Sequence, residues 1–314
     1  MDQTTCCVCD RPVEGAVRRL GNRSYCSPCY GRVTRDRRGV WWGGLPGVAA
    51  LVAVVALAAL VLNQVQPRLE GPPLVVAGVL IALVPAVFWL GFFYAQDARE
   101  PEPKGYVLAV FALGALLAQA VGIPIVRQVY RTPDWISTSP LVHILGAVLV
   151  VGLTQQFLIY AAVRYSIYLS GEFDERIDGV VYGVAAALGY ATLVNVDYVL
   201  TSGGVDLAAG IIRVAVTSLA LASFGGVLGY FIGRCKFEDE PFWWMPAGLA
   251  LAALLDGLFS YLRGEVTTTG LSLRGGGYNP WPGLLLATAV AGAAFGVLYF
   301  LTRRLERQAP AEEA

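Results

Sequence analysis

Residues 45–66 read LPGVAALVAVVALAALVLNQVQ, without one charged side chain. An α-helix rises about 1.5 Å per residue, so roughly twenty residues cover the ~30 Å hydrocarbon layer of a bilayer. Lipid offers no partner to free backbone N–H and C=O groups, and a helix satisfies its own. Seven more windows of this kind follow, at approximately 74–94, 106–125, 141–163, 178–200, 208–232, 243–262 and 282–301. Five of the eight hold no charge at all; the others carry Asp178 and Asp197 at their ends, Arg213, and Asp256. The pattern predicts an all-α polytopic membrane helix bundle of about eight spans.

The composition agrees. The chain of 314 residues is 56% hydrophobic and 15% charged, where soluble domains average roughly 25% charged. Mean hydropathy is +0.59. Basic and acidic residues balance at 23 each, so net charge says nothing about nucleic acid; no nucleic-acid partner is expected. The first ten residues are polar and hold three cysteines, unlike a secretory signal, so the first apolar run is expected to act as an uncleaved anchor.

Positive charge in the flanks sets orientation. With the N-terminus inside, the inner segments carry 17 basic residues, among them Arg99, Arg164, Arg176, Arg234, Lys236, Arg303, Arg304 and Arg307. The outer loops carry five: Arg68, Arg127, Arg131, Arg263 and Arg274. Both termini are therefore expected in the cytoplasm, at the cell membrane, with the lipid bilayer as the first partner and the glycine-rich 263–280 loop outside. Trp41, Trp42, Trp243, Trp244 and Trp281 fall at expected interfaces, where indole is favoured.

Ahead of the first span stand Cys6-x-x-Cys9 and Cys26-x-x-Cys29. Two such knuckles can bring four thiolates onto one closed tetrahedral ion, the arrangement of structural zinc. A module this small has almost no core and needs its metal to fold. A zinc-ribbon-like module is expected at 1–40, with one structural zinc on Cys6, Cys9, Cys26 and Cys29; the competing reading is a disulfide knot. Cys7 and Cys235 are left over. Arg32, Arg35, Arg37 and Arg38 suit anionic headgroups as well as a topology signal. The membrane domain is expected over 41–305, followed by a disordered tail at 306–314.

Two motifs are more specific. The second span ends at Gly91-Phe92-Phe93-Tyr94 and is followed by Asp97 and then Glu100-Pro101-Glu102-Pro103-Lys104. Further on stands Phe173-Asp174-Glu175-Arg176-Ile177-Asp178-Gly179-Val180-Val181-Tyr182-Gly183. Together, and in this order, they resemble the PrsW family of intramembrane proteases, over roughly residues 74–262. The glycine-rich stretch 224–230 resembles a later family helix. In the bare chemistry of the chain these motifs are structural: Glu-Pro-Glu-Pro stops a helix, and Asp178 can cap one.

The resemblance also implies catalytic positions, and here the chain departs from the pattern. The family's Glu-Glu-x-x-Lys falls on Gln155-Gln156-Phe157-Leu158-Ile159. The glutamate of its aromatic-Ala-x-x-Glu-Asn run falls on Val194, before Asn195. Its histidine falls on Thr217 or Ser218, and a later His-x-x-x-Asp/Asn on Asp256 and Ser260. Activating water for peptide hydrolysis takes a base or a metal. Glutamine keeps the shape of glutamate but takes no proton, and valine does neither.

The resemblance therefore implies a remnant site of Gln155, Gln156, Asn195, Thr217, Ser218 and Asp256, without a catalytic metal. The expected function is a pseudoprotease that binds membrane helices or a membrane-protein partner in signalling. An active protease with a substituted site is one alternative, and a transporter or channel using Asp256, Asp197 and Arg213 is another. For the glutamines and hydroxyls, plain interhelical hydrogen bonding is the competing account. Asp256 calls for pairing, hydration or protonation, because a central Asp costs about 2.5–3.5 kcal/mol to insert. Arg213 and Asp197 are expected to pair, and His143 is expected to be structural.

Overall fold

A computed structural model describes residues 5–7, 9, 11–13, 17–20, 23–33, 38–65, 71–96, 104–201, 207–267 and 279–307. The N-terminal module opens with a two-stranded antiparallel ribbon, β1 (Arg18–Leu20) and β2 (Arg23–Tyr25), in the register Arg18 to Tyr25. A short helix α1 (Ser27–Val33) follows. The membrane domain begins with α2 (Arg38–Val65) and α3 (Pro72–Gln96).

The third span is not a plain helix. It runs as α4 (Lys104–Leu117) into two π-helical stretches, Ala118–Gly122 and Ile125–Val129, and ends in the single turn α5 (Thr132–Trp135). The fourth runs as α6 (Pro140–Gly146), a π-helical stretch Ala147–Gly152, and α7 (Leu153–Ser166). Ser139 caps α6 by accepting from the Val142 N–H, with Pro140 in the first turn where a missing N–H costs nothing. Then come α8 (Asp178–Thr201), α9 (Leu207–Phe237), α10 (Trp244–Glu265) and α11 (Trp281–Arg307).

Among the described residues, seven of these helical runs are long and apolar enough to cross a membrane. The remaining one, α3, is 25 residues long, and its described apolar part is Pro72–Phe88. The all-α polytopic bundle expected from hydropathy is what the chain forms. The 97–103 motif, the 268–278 loop and the 308–314 tail lie outside the described residues.

α8 and α9 form the centre, buried on nearly every side. Their sequences permit this through small residues four apart, Gly179 and Gly183 on one helix, Gly225, Gly229 and Gly233 on the other. A β-carbon on Gly229 would lie 2.0 Å from the Gly179 carbonyl oxygen, and one on Gly183 would lie 2.3 Å from that of Gly225. Small-xxx-small seams of this type let backbones meet where lipid gives no hydrophobic drive to associate. On its other side α8 meets α4 as closely: a β-carbon on Gly189 would lie 1.9 Å from the Phe111 oxygen.

One expectation about charge needs correction. Asp197 does not pair with Arg213; it pairs with Arg127 at 2.6 Å, because the π-helical continuation of α4 carries that arginine to the end of α8. Arg213 instead stacks on Tyr198, its guanidinium 3.5 Å from the ring centroid. Trp244, at the start of α10, packs on Phe231 at 4.7 Å with Arg234 above it at 4.8 Å. Trp243 and Trp281 remain exposed, and the side chains of Trp41 and Trp42 lie outside those described.

Candidate functional site

The π-helical stretch Ala147–Gly152 decides the geometry around the fourth span. One extra residue per turn re-aims every side chain that follows, and such bulges recur at functional sites. Its backbone presses directly on α10. A β-carbon on Gly257 would lie 2.5 Å from the Val148 backbone, and one on Gly152 would lie 2.5 Å from the Ala253 oxygen. Gln156 stands one turn after Gly152 and Asp256 almost one turn after Ala253, so the two face each other.

They are joined: Gln156 Nε2 donates to Asp256 Oδ2 at 3.0 Å, out of contact with solvent. Gln156 is fully buried and Asp256 is 7% exposed. Since the amide nitrogen is spent on the carboxylate, Oε1 is left as an acceptor, buried and without a hydrogen-bond partner in the structure. Asp256 is also within electrostatic range of Tyr190 on α8. Tyr190 is buried, and its hydroxyl fills the space beside Gly122, where a β-carbon would lie 2.0 Å from that oxygen.

A second bridge links α8 to α9. Asn195 Nδ2 donates to the Val214 oxygen and to Ser218 Oγ, both at 3.4 Å. Thr217 turns to its own helix, donating to the Arg213 oxygen at 3.0 Å. Gln155 is half-buried and takes no part in either bridge. So four helices contribute polar side chains, but the described residues pair off as α7 with α10 and α8 with α9. Val194 is half-buried and packs against the main apolar cluster. His143 lies edge-on to Tyr261 with centroids 5.2 Å apart. Sequence reading did not single out Tyr190 or the π-helical turns; a Gly-x-x-x-x-x-Gly spacing ahead of Gln156 was the only available hint.

The lead-in to α8 is held by the Phe-Asp motif. Asp178 Oδ2 accepts from the N–H groups of Asp174 at 2.9 Å and Glu175 at 2.6 Å. Its carboxylate thus reaches back to clasp the loop ahead of the helix. Phe173 stacks on Tyr182 and on Phe237 at 5.9 and 6.0 Å. Around it Arg176 pairs with Glu238 at 3.1 Å, and Arg234 pairs with Glu238 at 2.5 Å and with Glu240. Lys236 donates to the Tyr168 and Ser170 oxygens at 2.5 and 3.3 Å.

The N-terminal module presents a different donor set. The Sγ atoms of Cys6, Cys9, Cys26 and Cys29 all lie within 4.8 Å of one another. Cys9 and Cys26 are 3.8 Å apart, and Zn–S bonds of ~2.3 Å in a tetrahedron set sulfurs about 3.8 Å apart. That separation is far beyond a disulfide bond of ~2.05 Å. Burial, and then the neighbouring thiols, push the Cys29 thiol up, a cost that a bound cation would reverse. Cys7 is exposed and stands outside the cluster. Among the described residues this is the one group of three or more His, Cys, Asp or Glu side chains placed to share an ion.

Known proteins bear on these motifs. The family described as "PrsW family intramembrane metalloprotease" matches residues 102–274. Protease PrsW of Geobacillus kaustophilus is 34% identical over 182 residues, 57% of this chain and 76% of that protein. Protease PrsW of Halalkalibacterium halodurans is 32% identical over 179 residues, covering 57% and 79%. Protease PrsW of Bacillus subtilis is 29% identical over 182 residues, again 57% and 79%. No solved structure matches the chain. With more than half its length matched, and with the Phe-Asp motif clasping the α7–α8 loop, the chain belongs to the PrsW family.

Proposed function

We propose that this PrsW-family protein has lost peptide hydrolysis and uses the fold to hold membrane helices or a membrane-protein partner in signalling. The observation that carries the reading is the Gln156–Asp256 bridge at 3.0 Å. It occupies the place where the family resemblance puts a glutamate, and an amide cannot take a proton from water.

The family's description implies a metal, and the intramembrane donors do not fit one. Asp256 is the lone carboxylate among the site residues, and one of its oxygens is already taken by an amide. Gln156 Oε1, Asn195 and Ser218 are neutral, weak donors for zinc. The Cys6, Cys9, Cys26, Cys29 set does fit one zinc, in a closed, structural role with no position left for water.

In this reading 1–40 is the zinc-ribbon-like module, 41–305 the membrane domain and 306–314 a tail. The protein sits in the cell membrane with both ends cytoplasmic, as the 17 to 5 distribution of basic residues supports. The test is cleavage of single-span substrates by reconstituted wild type and Asp256→Ala. Neither is expected to cleave, and Gln155→Glu combined with Gln156→Glu is expected not to restore activity, since Val194 and the missing histidine remain. Cleavage by wild type that Asp256→Ala abolishes would overturn the proposal.

A further inference from the structure

We infer that metal occupancy of the four-cysteine centre governs whether the N-terminal module stays docked on the membrane bundle, with Tyr25 as the coupling residue. Tyr25 directly precedes Cys26, yet its side chain belongs to the core of the membrane domain. It is fully buried, in one apolar cluster with Ile167, Phe173 and Phe237. Its hydroxyl donates to the Phe237 carbonyl oxygen. Phe237 closes α9, and the last carbonyls of a helix have no partner within it. Tyr25 supplies that partner from another part of the chain.

The second knuckle repeats the arrangement. Tyr30 directly follows Cys29, packs half-buried against the same cluster, and meets Tyr25 edge-on at 6.3 Å. Arg18 of β1 lies over Tyr30 at 5.8 Å. Among the described residues of the module, Tyr25 and Tyr30, which flank the second cysteine pair, join this cluster. The Cys7 N–H donates to the Ser24 oxygen at 3.0 Å, tying the first knuckle to the strand that ends in Tyr25.

Among the described residues, the ribbon itself offers little to hold this register without the metal. The ribbon has three paired residues per strand, and a two-stranded ribbon is marginal by itself in water. In the described part of the module, the residues buried most deeply are Cys6, Cys29 and Tyr25, and Tyr25 is buried by the bundle rather than by the module. Removing the ion frees both knuckles, and with them the backbone that aims Tyr25 and Tyr30.

The docking surface is made from the α7–α8 loop and the end of α9. These elements lead into the helices that carry Gln156, Asn195 and Ser218. Phe173 passes the contact to Tyr182 of α8 by stacking, and Tyr190 lies in the same cluster two turns on. The state of the module is therefore felt by the packing of the membrane core.

This inference rests on the zinc reading of the cysteines and is independent of whether the protein cleaves peptides. The test uses the full chain in lipid nanodiscs, with metal content measured by elemental analysis. Hydrogen–deuterium exchange is followed on peptides covering 167–178 and 232–240, before and after chelation and after zinc is returned. Stripping is expected to speed exchange on the order of tenfold or more in both segments, reversibly. Tyr25→Ala is expected to keep one zinc per chain and yet exchange like the stripped protein, with Tyr25→Phe, which keeps the ring, in between. Unchanged exchange after verified zinc loss overturns the coupling, as does a zinc-loaded Tyr25→Ala protected like wild type. A chain that takes up no zinc at all sinks the zinc reading itself, and is recognised by its metal content before any exchange is measured.

Discussion

Replacing Gly229 by alanine tests the seam on which the bundle is built. The new β-carbon would sit 2.0 Å from the Gly179 oxygen and 2.6 Å from its carbon. An ordinary C···O contact is about 3.3 Å, so α9 must retreat from α8 by roughly 1.3 Å at that point. Neither helix can yield cheaply, because both are packed on their other faces, α8 against α4 as closely as against α9. Overpacking of this kind costs about 1–3 kcal/mol. Alanine gives back about 1 kcal/mol of helix propensity, leaving a net loss of up to about 2 kcal/mol. The proper control is Gly292→Ala on α11, where an added β-carbon meets nothing within 4 Å. That variant carries only the propensity gain and is expected to be neutral or slightly stabilised. Equilibrium unfolding in mixed SDS micelles, followed by helicity, compares the two. The separation should also stretch the Asn195 bonds, already long at 3.4 Å. Equal stability of Gly229→Ala and Gly292→Ala would refute the close-packed seam.

Three other outcomes are expected. A double-mutant cycle on Gln156→Ala and Asp256→Ala, read by the same unfolding, should give a coupling of about 0.6–3 kcal/mol, between a typical intramembrane bond and one to a charged group; zero coupling would mean the bridge does not form. Arg127→Ala should cost no more than about 1 kcal/mol and lose its effect in high salt, since the arginine of its pair with Asp197 is 41% exposed; Arg213→Ala should be salt-insensitive, and the reverse pattern would restore the expected Arg213–Asp197 pairing. Zinc should bind one per chain, vanish in Cys26→Ser, and weaken as pH falls. The sign follows from thiols that must lose protons to bind, Cys29 among them with its proton held more tightly than usual; affinity that rises on acidification would exclude thiolate ligation.

Much of the architecture is legible in the chain itself. The run 45–66 and its seven companions specify membrane helices, because backbone satisfaction in lipid is a local requirement and hydropathy reports it residue by residue. The paired CxxC knuckles specify a cysteine cluster for a similar reason, since four soft donors at short spacing have few other uses. The Phe-Asp motif points to the family, and its role as a loop clasp lies within a few residues of itself. What the tertiary structure decided are the pairings between distant segments. Asp197 had two arginines within plausible reach, and only the π-helical turns of the third span bring Arg127 to it. Gln155 and Gln156 are equivalent by composition, and the bulge at Ala147–Gly152 turns one of them onto Asp256, a hundred residues away, leaving the other aside. Tyr25 reads as one polar-tipped aromatic beside a cysteine; only the folded chain shows it as a plug in the end of α9. Periodicity encodes which face of a helix avoids lipid, but a rotation of one residue per turn or a contact across 212 residues depends on every neighbour at once, and so exists only in the packed bundle.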